Sequence, residues 1–306
     1  MDSAEFQFFL KEVLAVLVLY KTDINNSDTF KSLSYCLEKK SSKLDILIYD
    51  NSPLPMLNPK QLNEQYWHIS YIHDETNPGV GKAYNTGYKI AKKMDKKWLL
   101  LLDQDTKFET DALIKYYQEV HRNPNSFLFA PILTSDTGEL YSPCKYAFRR
   151  GFPLKNIVPG LHSSKNISLL NSGLFISMDI FGKVGGYNEK LKLDFSDFEF
   201  IDRYKQINTS FIIINTKCIH GFSAQQDSIE AALIRFGRYC ESIEVLAKIH
   251  IDASILLFFA FFRACKLSFK FKNFRFFYIF YIQLINSYFQ NLLLKLQKLP
   301  KSYGDS

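Results

Sequence analysis

The sequence predicts an α/β fold: a mostly parallel sheet flanked by helices, followed by a C-terminal helical extension. Three observations carry this. The apolar runs Val13–Leu19 (VLAVLVL), Leu44–Tyr49 (LDILIY) and Trp98–Leu102 (WLLLL) are continuous rather than alternating, the pattern of strands buried on both faces. Stretches with helical periodicity separate them, as crossovers between parallel strands require. After about Ser228 the texture changes to long segments rich in Phe, Leu, Lys and Arg, which divides the chain into a first domain, 1–227, and an extension, 228–306.

Taken in order, Val13–Leu19 is the first strand and ends in the polar run Tyr20-Lys21-Thr22-Asp23. Thr29–Lys39 is helical, and Leu44–Tyr49 is the second strand, ending in Asp50-Asn51-Ser52. Ile69–His73 is a short third strand, and Val80–Lys93 a helix. Trp98–Leu102 is the fourth strand, followed by a helix near Asp111–His121 and a strand at Phe127–Pro131. From about 134 to 166, Gly, Pro and polar residues predict loops and a hairpin. Leu174–Ser177 and Phe211–Asn215 are further strands. In open α/β sheets ligands bind outside the carboxyl ends of the strands, so the polar residues after each strand are the candidates for function.

Composition narrows the function classes. The 306 residues are 47% hydrophobic and 23% charged, which excludes wholesale disorder. A net charge of +7 allows an anionic partner. A nucleic-acid binder is disfavoured, because the basic residues are dispersed and the aromatics sit in apolar runs. The five cysteines (36, 144, 218, 240 and 265) include no C-x-x-C pair, which argues against a disulfide framework or zinc ribbon and for a reducing compartment. The N-terminus has acids at Asp2, Glu5 and Glu12 where a signal peptide would be basic. The longest pure apolar run, Ile255–Phe262, is about 12 Å long as a helix, against roughly 30 Å of bilayer hydrocarbon. The expectation is a cytoplasmic protein.

Asp103-Gln104-Asp105 is the sharpest motif. Two carboxylates spaced two apart share one face of an extended backbone. Two hard oxygen ligands at a strand end suit Mg2+ or Mn2+ beside a pyrophosphate, although a solvated turn has the same composition. Asp194, Asp197, Glu199 and Asp202 stand among aromatics at a helix start, where one acid could serve as a general base with a raised pKa. The bland alternative is an acidic helix N-terminus. His220, in Cys218-Ile219-His220-Gly221, is a candidate metal ligand or a structural histidine. Asn77-Pro78-Gly79-Val80-Gly81-Lys82 has neither dinucleotide-fingerprint nor P-loop spacing and reads as a loop into a helix.

The order of these motifs carries a resemblance. The series VLVLYKTD, IYDNSP, NPGVGKAYNTGYKIA and WLLLLDQDT is similar to the donor half of family 2 glycosyltransferases. NSGLFISMDIFGKVGGYNEKLKLDFSDFEFIDR and CIHGFS resemble the acceptor half, and the D-Q-D-T, N-S-G and G-G-Y-N-E versions resemble the rhamnosyltransferase-like branch. The similarity covers roughly Val13–Ser223. It implies the GT-A fold and an inverting, metal-dependent glycosyltransferase. It further implies that Asp197 is the catalytic base, that Asp105 and His220 hold the metal (Mn2+ or Mg2+), and that Tyr20, Asp50, Asn77, Lys82, Asn85, Asp103 and Glu199 bind substrates. Two positions depart from the family pattern. Tyr84 replaces the Arg of Ala-Arg-Asn, and Ser196 replaces a Glu before the base.

The implied donor is a nucleotide sugar, dTDP-L-rhamnose first, and the implied acceptor a bacterial surface glycan or its lipid-linked precursor. The alternatives are the same chemistry with a galactofuranosyl or hexosyl donor, and a non-catalytic membrane-associated assembly partner. A nucleotidyltransferase would want a Gly-rich basic loop where this chain has Tyr20-Lys21-Thr22-Asp23. The tail carries Arg263, Lys266, Lys270, Lys272 and Arg275 among many Phe, which predicts peripheral contact with the inner membrane face. A packing or homodimer element is the alternative.

Overall fold

The computed structural model describes residues 3–57, 65–221 and 228–286. The chain divides into two compact units, 1–224 and 225–306. The boundary expected after residue 227 falls at the edge of 222–227, outside the described residues, as do Phe222 and Ser223 of the last motif.

The first unit begins with α1 (Ser3–Lys11), β1 (Val13–Leu19), α2 (Asp28–Glu38), β2 (Leu44–Asp50), β3 (Trp67–His73), α3 (Val80–Lys93) and β4 (Trp98–Asp103). There follow β5 (Thr106–Lys107), α4 (Ala112–Arg122), β6 (Leu128–Thr134), β7 (Leu140–Ser142), β8 (Cys144–Ala147), β9 (Arg150–Phe152), β10 (Gly160–Ser163), β11 (Ile167–Ser168) and β12 (Leu174–Ser177). The unit ends with α5 (Met178–Val184), α6 (Ser196–Tyr204) and β13 (Ser210–His220). The main sheet runs β10-β13-β6-β12-β4-β1-β2-β3, with β5 on β13 and β7 on β6. β3, β2, β1 and β4 are mutually parallel, while β12 runs antiparallel to both β4 and β6.

Continuous apolar strands are buried on both sides because alternate residues enter two cores. Ala15, Leu17, Leu100 and Leu102 pack with α1, α2 and α4, through Phe9, Leu33 and Tyr116. Leu14, Val16, Leu99 and Leu101 pack with α3, α5 and α6, through Tyr84, Phe181 and Phe200. Each such side chain contributes about 1.5–3 kcal/mol by leaving water. At Gly87, α3 lies so close on β1 that a Cβ would stand 2.4 Å from Val16 Cγ2.

Three elements differ from expectation. α1 carries a Phe6/Phe9/Leu10 face that buries against the sheet, and nine residues give its periodicity little room to show. Where the sequence predicts loops and a hairpin, residues 140–168 form five short strands, β7 to β11, of which β11-β8-β9 make a separate sheet. β13 continues to His220 rather than stopping at Asn215. The polar run Asn215-Thr216-Lys217 coincides with an irregularity in its parallel pairing with β6, after which the strand resumes. This extension sets His220 opposite Thr106 of β5.

The second unit contains α7 (Ile229–Ile249), α8 (Ile255–Phe271) and α9 (Arg275–Phe280), followed by a π-turn at Tyr281–Asn286. The Ser228 hydroxyl caps α7 by accepting from Ala231 N–H at 3.2 Å, and α8 stops where Lys272 turns left-handed at φ +50°. Among the described residues, no helix is long and apolar enough to cross a membrane.

Candidate functional site

The site forms where β1 and β4 end side by side, with Val18 opposite Asp103. Gln104, between the two acids, ties the strand ends together. Tyr20 N–H donates to its Oε1 at 2.8 Å, and its Nε2 donates to the Tyr20 carbonyl at 3.2 Å. The Ser27 hydroxyl, which also caps α2, donates to the Gln104 carbonyl at 2.7 Å. With its middle residue clamped, the D-Q-D backbone is fixed and Asp103 and Asp105 remain partly exposed.

Thr106 is the hub on the other side. Its buried hydroxyl lies 2.7 Å from Ser172 Oγ and 2.7 Å from His220 Nδ1. Gly221 N–H donates to the Asp105 carbonyl at 2.8 Å, extending the antiparallel β5–β13 ladder around the motif. His220 Nδ1 then lies 3.6 Å from Asp105 Oδ1, too far for a hydrogen bond. Tyr84 of α3 donates its hydroxyl to Asp103 Oδ1 at 2.9 Å.

Burial pushes the Asp105 carboxyl up to about 6, with Asp103 adding to the rise and His220 opposing it. Asp103 is raised by burial as well, against the pull of His220 and the Tyr84 hydroxyl. Two crowded carboxyls that resist ionising are a site short of positive charge. Among the described residues, no three His, Cys, Asp or Glu side chains converge into a complete metal site. Asp105 and His220 offer one carboxylate and one imidazole, and do not by themselves make up a metal site.

Asp197 lies at the start of α6, where Phe195 turns left-handed at φ +65° and reorients the chain into the helix. Asp197 Oδ1 accepts Phe198 N–H at 2.8 Å. Burial pushes the half-buried carboxyl up to about 7, and the charges of Asp103 and Asp194 add to the rise. Aromatic packing connects this helix to the strand end. The Tyr187 ring stacks on Phe200 of α6 at 4.2 Å and lies 5.2 Å from Tyr84, while its hydroxyl donates to Asn171 Oδ1 at 2.8 Å.

The structure thus couples the charges of Asp103, Asp105 and His220, and those of Asp103 and Asp197, while Tyr20 joins the strand end through its backbone bonds to Gln104. Other candidates are engaged elsewhere. Asp50 is fully buried and accepts Ser52 N–H at 2.9 Å, Met56 N–H at 2.8 Å and the Tyr71 hydroxyl at 2.7 Å. Burial works to raise its pKa, but these hydrogen bonds outweigh it and hold the carboxyl below the usual range. A donor contact through Asp50 would have to displace one of them. Asn85 holds the Tyr187 turn, accepting Tyr187 N–H at 2.7 Å and donating to the Tyr187 carbonyl and to Glu189 Oε1, both at 2.9 Å. Lys82 pairs with Glu189 at 3.2 Å. Glu199 forms a bidentate pair with Arg203, both bonds at 2.8 Å. Asn77 takes φ +47° in the loop before α3. The start of α3 faces protein, because Val80 N–H donates to the Lys192 carbonyl at 3.2 Å and a Cβ on Gly79 would meet that oxygen at 2.1 Å.

Sequence reasoning missed Thr106, Ser172 and the role of Tyr84. A signal existed for Tyr84: it belongs to the stripe Val80, Ala83, Tyr84, Gly87, Ala91 on the inner face of α3, and a buried tyrosine hydroxyl needs a partner.

Residues 29–167 match the family model described as glycosyl transferase family 2. These residues thus resemble a family 2 glycosyltransferase domain. Around it, the chain is 23% identical over 189 residues to the dTDP-rhamnosyl transferase RfbF of Shigella flexneri, covering 61% of each protein. The domain's GT-A fold is shared with S. aureus TarS 1–349, at TM-score 0.51 and 14% identity over 77% of this chain and 64% of that one. It is shared also with GalNAc-T7, solved with UDP, GalNAc and Mn2+, at TM-score 0.53 and 14% identity over 77% and 47%. The chain spans less than two thirds of the length of each of these relatives.

Proposed function

We propose that the protein is an inverting glycosyltransferase that moves a sugar from a nucleoside-diphosphate donor to an acceptor hydroxyl. The observation that carries this reading is Asp197, a half-buried carboxyl held near pH 7 beside the D-Q-D strand end. Such a group exchanges its proton near working pH and is basic enough to take one in the transition state.

In this mechanism the acceptor oxygen attacks the anomeric carbon from the face opposite the diphosphate. Asp197 accepts the hydroxyl proton as that bond forms and the bond to the diphosphate oxygen breaks. A single displacement inverts the centre and needs no covalent intermediate. Asp105 and His220 would hold a Mn2+ or Mg2+ ion, which would offset the charge developing on the departing diphosphate. Asp103, oriented by Tyr84, would face the donor's nucleoside beside Tyr20. Thr106 fixes the His220 ring, and Asn85 and Gly79 position the loop that leads to α6.

The similarity to the Shigella protein supports dTDP-L-rhamnose as the first donor to test, and a bacterial surface glycan or its lipid-linked precursor as acceptor. A UDP-sugar is the second reading, favoured by the fold's likeness to GalNAc-T7 with UDP. The test is a nucleotide-sugar panel with Mn2+, read as donor hydrolysis and thermal stabilisation. A donor at 100 times its Kd should stabilise by roughly 2.7 kcal/mol. If no nucleotide sugar is hydrolysed or stabilises the protein with either metal, the proposal fails.

A further inference from the structure

The second unit contains a helix that is apolar on two opposite faces. Leu256, Ala260, Ala264 and Ser268 form the buried stripe of α8. On the other side Ile255, Phe258, Phe262 and Phe269 stand at 38%, 58%, 52% and 90% exposure, spaced to share one face. An exposed apolar face bordered by charged residues marks an interaction surface rather than one matched to water.

The charges around this face indicate what would cover it. No Asp or Glu occurs between Asp252 and Asp305. Of the five cations noted in the sequence, three have partners within the unit, Lys270 lying over the neighbouring Phe271 ring at 5.0 Å. Arg263 lies over the Tyr239 ring at 4.3 Å, and Arg275 pairs with Glu230 at 3.3 Å. Lys266 lies within the exposed stripe, and Lys270 and Lys272 are exposed at the end of the helix beside Phe269. A second copy presenting this same face would offer these lysines no acid to pair with. An anionic lipid surface meets both the rings and the lysines.

We propose that the outer face of α8 docks on an anionic membrane surface, with Phe258, Phe262 and Phe269 in the acyl boundary and Lys266, Lys270 and Lys272 among the headgroups. The helix lies in the interface and does not span it. This inference is independent of the transfer reaction, because donor hydrolysis in solution does not require it.

The experiment is flotation of the full-length protein with vesicles of phosphatidylglycerol and phosphatidylcholine at low salt, and with phosphatidylcholine alone. The protein should float with the anionic vesicles and be released by high salt. Lys266→Gln/Lys270→Gln/Lys272→Gln should weaken binding about a hundredfold, at about fivefold per cation, whereas Arg275→Gln should change it less than twofold. Phe258→Ser/Phe262→Ser/Phe269→Ser should weaken it more than tenfold. All these positions are exposed, and unchanged circular dichroism would verify folding. Wild-type protein that stays at the bottom with anionic vesicles overturns the proposal. So does a lysine triple variant that binds like wild type, or a stable dimer in ultracentrifugation that the Phe variant dissociates.

Discussion

Replacing Asp197 by Asn should make the protein more stable and less active at once. The carboxyl is raised from 3.8 to about 7, chiefly by burial, with Asp103 and Asp194 adding repulsion. Three units at about 1.4 kcal/mol each set a ceiling of about 4 kcal/mol on the cost of ionising it in the fold. Between pH 4 and 7 the folded state holds a proton that the unfolded chain has released, so stability falls as pH rises through this window. Asn keeps the shape and can still accept Phe198 N–H, but carries no charge. Because the carboxylate is only half-buried and keeps some hydration, the expected gain at pH 8 is about 2–3 kcal/mol. For a domain of this size that is a rise in Tm of roughly 5–10 °C. The assay is thermal unfolding of both proteins in chelator across pH 4–8, beside donor turnover with Mn2+. The gain should vanish near pH 4, and turnover should fall about 10²–10⁴-fold. No gain at pH 8, or the same gain at pH 4, would refute the raised carboxyl. Near-normal turnover would move the base to Asp194.

Other substitutions separate ligands from scaffold. Asp105→Asn should abolish metal-dependent donor binding by calorimetry while leaving Tm in chelator unchanged or higher, because it removes a carboxyl that burial raises. Glu199→Gln should cost about 2 kcal/mol in urea unfolding with donor KM unchanged, since it strands Arg203, whose side chain is 30% exposed; a large KM effect would return Glu199 to the binding site. Tyr84→Phe keeps the packing on Tyr187 but removes the donor to Asp103 Oδ1, and should lower kcat/KM roughly tenfold in steady-state kinetics.

The fold was legible where burial is two-sided. Runs such as VLAVLVL and WLLLL leave no polar residue to face water, so they become central strands whatever surrounds them. The same logic missed elements stabilised from outside. β13 passes through Asn215-Thr216-Lys217 because Thr216 Oγ1 donates to Glu109 Oε2 at 3.0 Å and Lys217 N–H to the same oxygen at 3.2 Å. Polar residues that read as the end of a strand are held by a partner about a hundred positions away. The small β11-β8-β9 sheet gave no periodic signal, since its strands are two to four residues long.

For the site, motif membership identified the acids but not their partners. Glu199 and Asp197 stand two apart in one helical turn, and both looked available. Two residues on a helix is a rotation of about 200°, so their carboxyls point apart. Glu199 reaches Arg203 one turn later, while the Asp197 carboxyl is raised by burial, with the charges of Asp103 and Asp194 adding to the rise. Asn85 and Lys82 were drawn in the same way to the 187–189 turn, a hundred residues distant. What the sequence withholds is therefore not which residues are special but which are already satisfied. The carboxyls left with too little positive charge around them, Asp103, Asp105 and Asp197, are the ones a cation and a reacting hydroxyl would complete.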